Sequence, residues 1–293
     1  MSWALTGRLK PSEALGLGRF HIVAIAALAT VVFGWEFDGL IRWTAGGLVA
    51  FDWFVLNLFN RIADVPEDKK NGVAGTGFVE QNAGALMRIA TLALAISFIG
   101  ARPLGTPLMV LRAAFHIGGF AYSFPTVGRR IKEIFLVKNV FSGALFIISV
   151  IGYPLALRDA TPPLPEVIGL ALFFLPLEIT YELIYDLRDV EGDAAAGLVT
   201  LPVKWGAQRT RAFIDMLLAA SAAVLLLGFL TGALEWRELV MIAAPVQQAL
   251  VLRLWIPREV HRRDAIGITW LGAVQLASYL GWIAFGGPLE RPW

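Results

Sequence analysis

Asn139 to Leu157, Met216 to Leu234 and Ala265 to Leu289 run without a single Lys, Arg, Asp or Glu. Each approaches or exceeds the roughly 20 apolar residues that an α-helix needs to cross the hydrocarbon core of a bilayer. These runs are apolar on every face, which does not match the alternating strands of about ten residues from which a membrane barrel is built. Further charge-poor stretches lie at about 20–35, 40–60, 84–101, 104–124, 165–185 and 238–255, separated by the Pro, Gly and charge clusters that break helices. The pattern predicts an all-α polytopic membrane protein of about nine transmembrane helices, a count that 293 residues accommodate when each span carries a loop of about a dozen.

Composition supports this. The chain is 57% hydrophobic and 16% charged, whereas a soluble domain carries about 25% charged residues. That excludes disorder and argues against an ordinary soluble enzyme. With no cysteine, disulfide frameworks, thiolate metal sites and cysteine nucleophiles are excluded. The N-terminus is mildly basic and leads into the apolar run Phe20 to Trp35, but that run ends in Gly-Trp-Glu-Phe-Asp-Gly. A signal peptide ends in a small-residue cleavage site, so this run reads as a retained first span.

Positive charge sets the expected orientation. Of the 25 Lys and Arg residues, Arg42, Arg102, Arg158, Arg237 and Arg291 fall on one side and Arg112 inside a span, while all others share the side holding the N-terminus. By the positive-inside rule the crowded side is cytoplasmic and the C-terminus lies outside. A plasma, or inner, membrane is the expected location.

Two acid clusters terminate spans on that cytoplasmic side. Span two runs out through Asn60, Arg61, Asp64, Glu67 and Asp68, and span six through Asp186, Arg188, Asp189, Glu191 and Asp193. Polar side chains recur there every three or four residues, so a continuing helix would point them at one place. Carboxylates packed together repel unless cations neutralise them, and hard oxygen ligands suit Mg²⁺, which commonly bridges one or two carboxylates to a substrate phosphate. The two clusters look like a weak internal repeat, and repeats with functional groups at their interface are common among polytopic folds.

At these residues the chain resembles the UbiA superfamily of intramembrane prenyltransferases. Asn60, Asp64 and Asp68 match its first motif, N-x-x-x-D-x-x-x-D, and Asp189 and Asp193 match its second, D-x-x-x-D, within YDLRDVEGDAAAGLVTLPVKWG. Tyr122-Ser123-Phe124-Pro125, followed by Arg129, Arg130, Lys132, Lys138 and Asn139, resembles the family's YSxP segment. The resemblance implies two four-helix halves plus a ninth helix around a central cavity, within a single UbiA-like transmembrane domain over residues 1–293. Its Asp-rich motifs would span 60–68 and 186–193. It also implies Mg²⁺-dependent loss of diphosphate from an isoprenyl diphosphate. Asp64, Asp68, Asp189 and Asp193 are the implied catalytic residues and, with Asn60 and Asp186, the implied metal ligands. Asn60, Tyr122, Arg129, Arg130, Lys132, Tyr185, Asp186 and Lys204 are the expected substrate-binding residues. Position 61 is Arg where many relatives carry Asp, and residues 69–82 replace an Arg-Pro stretch, departures that bear on the acceptor more than on ionisation.

The expected activity is transfer of an isoprenyl group to a lipophilic, aromatic acceptor, with membrane lipid as the surroundings and no nucleic acid as partner. An intramembrane terpene cyclase, needing no acceptor, is the nearest alternative. A membrane transporter is a third, weakened because both acid clusters lie at the interface and not at the midplane. His21, His116 and His261 are scattered, with no H-E-x-x-H for zinc, and the basic run Arg258 to Arg263 reads as topological anchoring. Inside the spans lie Asp52, Arg112 and Glu178. Unpaired charges facing lipid are costly, so Arg112 is expected to pair with Asp52 or Glu178 and His116 to help satisfy the other acid.

Overall fold

A computed structural model describes residues 5, 7, 16–126, 128–158, 164–256 and 259–286. The C-terminus, Arg258, Arg291 and most of the N-terminal segment, to which the topology argument assigned sides, lie outside the described residues. All described regular structure is helical. The helices are α1 Phe20–Asp38, α2 Trp43–Ala63, α3 Val65–Lys70, α4 Thr76–Ala101, α5 Thr106–Ser123, α6 Val137–Ala156, α7 Leu164–Arg188, α8 Val190–Ala196, α9 Leu201–Trp205, α10 Ala207–Thr231, α11 Trp236–Trp255 and α12 Arg262–Ala284.

Seven described helices are long and apolar enough to cross a membrane: α1, α4 (extended to Leu104), α6, α7, α10, α11 and α12. The other two expected spans fall in α2 and α5, with 21 and 18 residues. Their apolar character is diluted by Asp52, Asn57, Asn60 and Arg61 in α2, and by Arg112 and His116 in α5. Burial is inverted relative to a water-soluble bundle. Ile96 and Ile99 on α4 are 61% and 75% exposed, and Leu227 and Leu230 on α10 are 61% and 69% exposed. An apolar surface of this kind needs an apolar solvent, and lipid supplies it. The chain is an integral membrane protein.

α1 packs on α2 and on α12, α2 on α4 and α5, and α7 on α6, α10 and α12. The two helices that end in acid clusters, α2 and α7, thus each pack on at least three others, and α7 also exposes Leu164, Ile168 and Leu172. Gly119 lets α5 press onto α2, since a Cβ there would lie 2.3 Å from Leu56 Cδ1. α6 contains a π-helical turn at Ile147–Gly152, just before Pro154. Proline removes a backbone donor and crowds the preceding turn. Within the widened turn Ser149 Oγ donates to the Leu145 and Phe146 carbonyls and accepts from Trp53 Nε1 at 3.0 Å.

The intramembrane charges meet only part of the expectation. Arg112 grips Asp52 as a fork, Nε to Oδ2 at 2.8 Å and Nη2 to Oδ1 at 2.6 Å, with both side chains fully buried. The same guanidinium donates to the Ser97 carbonyl and hydroxyl, and Tyr153 donates to Asp52 at 2.9 Å. His116 Nε2 also lies 3.1 Å from Asp52, so it does not serve Glu178. The spacing from Arg112 to His116 places both on one face of α5, and that face looks at α2. Glu178 is left with no hydrogen-bond or ion-pair partner among the described residues.

Candidate active site

Both acid clusters follow the ends of their helices through a short break. α2 ends at Ala63, Asp64 occupies the junction, and α3 restarts at Val65 with Pro66 in its first turn, where proline is tolerated. α7 ends at Arg188, Asp189 occupies the junction, and α8 restarts at Val190. α3 and α8 then pack against each other. Lys70 Nζ donates to the Ala195 carbonyl at 3.0 Å, and Gly192 lies so close to the Asn71 side-chain amide that a Cβ there would displace it.

Between them lies a cavity of about 1140 Å³, lined by Asn60, Asp64, Asp68, Asp186, Asp189 and Asp193 together with Tyr122, Lys132 and Tyr185. These nine expected site residues share one space although up to 133 positions separate them in the sequence. Each acid is held differently. Lys132 bonds Asp64 and reaches Glu67 at 2.9 Å, while Arg130 bridges Glu67 at 2.6 Å, Asp64 at 3.5 Å and Glu133 at 2.6 Å. Arg61, itself buried, pairs with Asp68 and donates to the Ala74 carbonyl at 2.9 Å. Lys138 and Asn139 hold Asp186, and Arg188 holds Asp189 at 2.7 Å. In the orientation that satisfies both amide atoms, Asn60 donates to Asp64 at 3.0 Å and to Ser123 at 3.2 Å and accepts from Arg19 at 3.2 Å.

Electrostatics in the mouth follow from burial and these partners. Burial drives the Asp64 carboxyl up to about 6 against the pull of Lys132, and neighbouring Glu67 pushes the same way. Burial also acts upward on Glu67, but its hydrogen bond from Arg130 and the charge of Lys132 outweigh it and hold Glu67 below the usual carboxylate range. Asp193 is raised to about 6 by burial, opposed by Lys138 and reinforced by Asp186 and Asp189. Its Oδ2 is buried without a hydrogen-bond partner.

Arg129 and Lys204 depart from the expectation. Arg129 is exposed and does not line the cavity, and Lys204 lies over the Phe135 ring at 4.2 Å. Glu67, Arg61, Lys138, Glu182 and Arg19 line the cavity or hold its acids, and none was an expected site residue. Glu182 was legible in principle, since it lies one turn before Asp186 on the same face. Arg19 adopts a left-handed backbone, φ 46°, at the start of α1, and Leu136 does the same, φ 65°, just before Lys138. Non-glycine residues in that region are strained and persist where surrounding structure enforces them.

The residues fit a divalent cation in a particular way. Among the described residues no three acidic or histidine side chains converge on one point. A closed all-protein cage is therefore absent, and the donor set is instead spread along two facing segments. Mg²⁺ is characteristically held by one or two carboxylates plus substrate phosphate, and the orphaned Asp193 Oδ2 is an open ligand position of that kind.

Comparison with known proteins decides the family. The sequence pattern of the UbiA prenyltransferase family matches residues 20–272. The chain belongs to that family. A UbiA homolog from Archaeoglobus fulgidus bound to GPP and Mg²⁺ shares the fold with TM-score 0.72 at 18% identity, covering 93% of this chain and 99% of that one. The same homolog bound to DMAPP and Mg²⁺ gives TM-score 0.72 at 17% identity, with equal coverage. In sequence the chain is 37% identical over 90 residues to a digeranylgeranylglyceryl phosphate synthase from Methanopyrus kandleri. That stretch is 31% of this chain and spans about a third, 32%, of the curated relative. This UbiA-family chain thus shares the fold of these structural neighbours and lines one cavity with both acidic segments.

Proposed function

We propose that this UbiA-family protein is a Mg²⁺-dependent intramembrane prenyltransferase, which moves an isoprenyl group from an isoprenyl diphosphate to a lipophilic, aromatic acceptor. One observation carries the reading. The segments Asn60 to Asp68 and Asp186 to Asp193 face each other across one cavity, ringed by Lys132, Lys138, Arg188 and Arg61 and continuous at its inner end with apolar walls. The architecture that accompanies it is nine spans in one domain over residues 1–293, the cavity opening to the cytoplasmic side of the plasma membrane.

Asp64, Asp68, Asp189 and Asp193 would hold the metal, supported by Asn60 and Asp186, and the bound cation would supply Lewis-acid stabilisation of charge on the departing diphosphate. The chain's own residues do the rest. Lys132 and Arg130, which pair with Asp64 and Glu67, would face the anionic leaving group as point charge and fork. Tyr122 would offer a ring to a neighbouring carbocation, whereas the Tyr185 ring carries the Arg188 guanidinium at 4.7 Å and stacks with His21. Trp53, Leu56, Leu145 and Phe146 line the inner end and exclude water that would quench it.

Diphosphate release from GPP in purified protein tests the proposal. Asp64→Asn, Asp68→Asn, Asp189→Asn and Asp193→Asn each keep side-chain shape while removing charge, and each should lower release by about 10²–10³-fold in a folded protein. Full release in EDTA, or in Asp64→Asn, would defeat the metal assignment. A terpene cyclase would instead consume an isoprenyl diphosphate without acceptor and yield a cyclic hydrocarbon or alcohol, so product analysis with GPP alone separates the two.

A further inference from the structure

The end of the bundle remote from the acidic mouth holds a second buried cluster. Arg19 and Arg262 line the mouth at the starts of α1 and α12. Glu36 and Tyr279 stand seventeen residues further along those helices, about 26 Å away at 1.5 Å rise per residue. There they meet Arg237 and Glu238 in the first turn of α11. Glu36 and Glu238 are 2% and 0% exposed. Tyr279 Oη contacts Glu36 Oε1 and lies 3.1 Å from the Arg237 carbonyl, while Arg237 Nε lies 2.9 Å from Glu238 Oε1 and 3.0 Å from Glu36 Oε2. Four close contacts thus share two hydrogens, one on Tyr279 Oη and one on Arg237 Nε. The Nε hydrogen goes to Glu238, and Glu36 Oε2 is buried without a hydrogen-bond partner. The other guanidinium nitrogens turn to the Glu36 main-chain carbonyl at 3.3 Å and to exposed Glu235 at 3.4 Å. No further cation reaches Glu36 among the described residues: Arg42 pairs with Asp38, and Arg158 donates to the Phe37 carbonyl and lies 3.9 Å from Asp38. Glu166, at the start of α7, adds repulsion at Glu238.

We infer that Glu36 is a neutral carboxylic acid in the folded protein and that its proton staples α1, α11 and α12 together at this end of the bundle. With the proton on Oε1, Glu36 donates to Tyr279 Oη, Tyr279 donates onward to the Arg237 carbonyl, and Arg237 keeps Glu238 as its buried counter-ion. One added hydrogen completes the chain and removes the second buried negative charge, which a single guanidinium does not offset. The contacts also say which acid carries it. Glu238 accepts at both oxygens, from Arg237 Nε and from the Glu235 backbone N–H, as a carboxylate does. Glu36 has at most the single Tyr279 hydrogen. A metal ion does not fit, since Arg237 stands between the two acids and no three acidic or histidine side chains converge among the described residues. The proton is a ligand that the medium at this end can withdraw. Its loss sets two like charges against each other inside the bundle, so the staple loosens as pH rises.

Infrared spectroscopy and unfolding of the full chain in detergent test this without any substrate. The C=O stretch of a protonated carboxyl stands apart from carboxylate bands and shifts in D₂O. At neutral pH the difference spectrum between the unsubstituted chain and Glu36→Gln should contain one such band. Glu36→Gln offers a neutral donor of the same shape, so it should fold. Tyr279→Phe removes the acceptor of the Glu36 proton and leaves the acid in place, and it should move the band to higher frequency; this variant carries the test by itself if Glu36→Gln does not fold. The pH dependence follows from proton counting. The folded chain keeps a proton that the unfolded chain, with an ordinary glutamate at about 4.3, has released, so stability falls as pH rises. In mixed dodecylmaltoside and SDS micelles, the unfolding constant of the unsubstituted chain should rise relative to Glu36→Gln by up to about tenfold per unit between about pH 6 and pH 8. A difference spectrum with a lost carboxylate in place of a carboxyl, a pH slope that Glu36→Gln leaves unchanged, or a band indifferent to Tyr279→Phe would overturn the inference.

Discussion

Asp52 stands within α2 and the Asp64 cluster just past its end, twelve residues on in number, and the two hold their charge in opposite ways. Asp52 is saturated: both oxygens are taken by Arg112, Tyr153 donates to it, His116 stands beside it, and none of these groups meets the cavity. Asp64, Asp68, Asp186 and Asp189 are paired as well, but to Lys132, Arg61, Lys138 and Arg188, which line open space, and Asp193 Oδ2 is buried without a hydrogen-bond partner. A closed network fixes helices to each other, whereas pairs at an open mouth are exchangeable for a cation and a phosphate. Ion pairing alone therefore does not separate structure from function here. What separates them is whether a second partner has room to enter.

The comparison breaks first at Arg112. Arg112→Leu strands a buried carboxylate and should cost about 3–5 kcal/mol, as loss of one partner from a buried pair does. Unfolding in mixed dodecylmaltoside and SDS micelles measures it, and a stability within 1 kcal/mol of the unsubstituted protein, a bound set by ordinary surface substitutions, would show that Asp52 is not held as described. Asp189→Asn makes the converse case. It should lower diphosphate release from GPP by about 10²–10³-fold, the scale of losing one electrostatic contact to a developing charge. The same micelle titration should show little change, and a collapse of stability without a kinetic defect would reverse its assignment.

Smaller effects sharpen the contrast. Tyr153→Phe removes one of several donors from Asp52 and should cost about 1–3 kcal/mol of stability, the penalty of one buried bond left unmade, with isoprenyl diphosphate turnover kept. At the weak end, Arg129→Ala and Lys204→Ala should leave the KM for GPP within about twofold, since exposed charges away from a site are nearly neutral. Lys132→Ala provides the scale for that comparison, and should impair turnover by at least an order of magnitude as a charged ligand of the leaving group does. Equal kinetics for all three variants would remove Lys132 from the site.

Much of this was readable without coordinates, and particular residues show the limit. Asn60, Asp64, Asp68, Asp186, Asp189 and Asp193 stood out because helical spacing placed them at the ends of two apolar spans, and they share one cavity. Lys132 stood out as a basic residue between them, but so did Arg129 and Lys204, which occupy other places. Spacing along a loop does not say which way a side chain turns. Arg61 appeared only as a departure from the family's pattern, and its role in holding Asp68 emerged from the fold of residues 61–74.

Hydrophobic runs of membrane length, their separation by helix breakers and the recurrence of acids at two span ends are local properties, set by solvation and helical periodicity, and the sequence by itself determined them. Which buried acid found a partner was a tertiary decision. Asp52 is the sole acid of α2, whereas α7 carries Glu166, Glu178, Glu182 and Asp186, yet neither run of residues says which acid meets a cation. α5 packs on α2 and delivers Arg112 and His116 to Asp52, while the face of α7 that carries Glu178 looks into a pocket whose lining cation, Arg19, stands beside Asn60. Long-range pairing depends on helix order and rotation in the bundle, and those are fixed only when the whole set of helices packs.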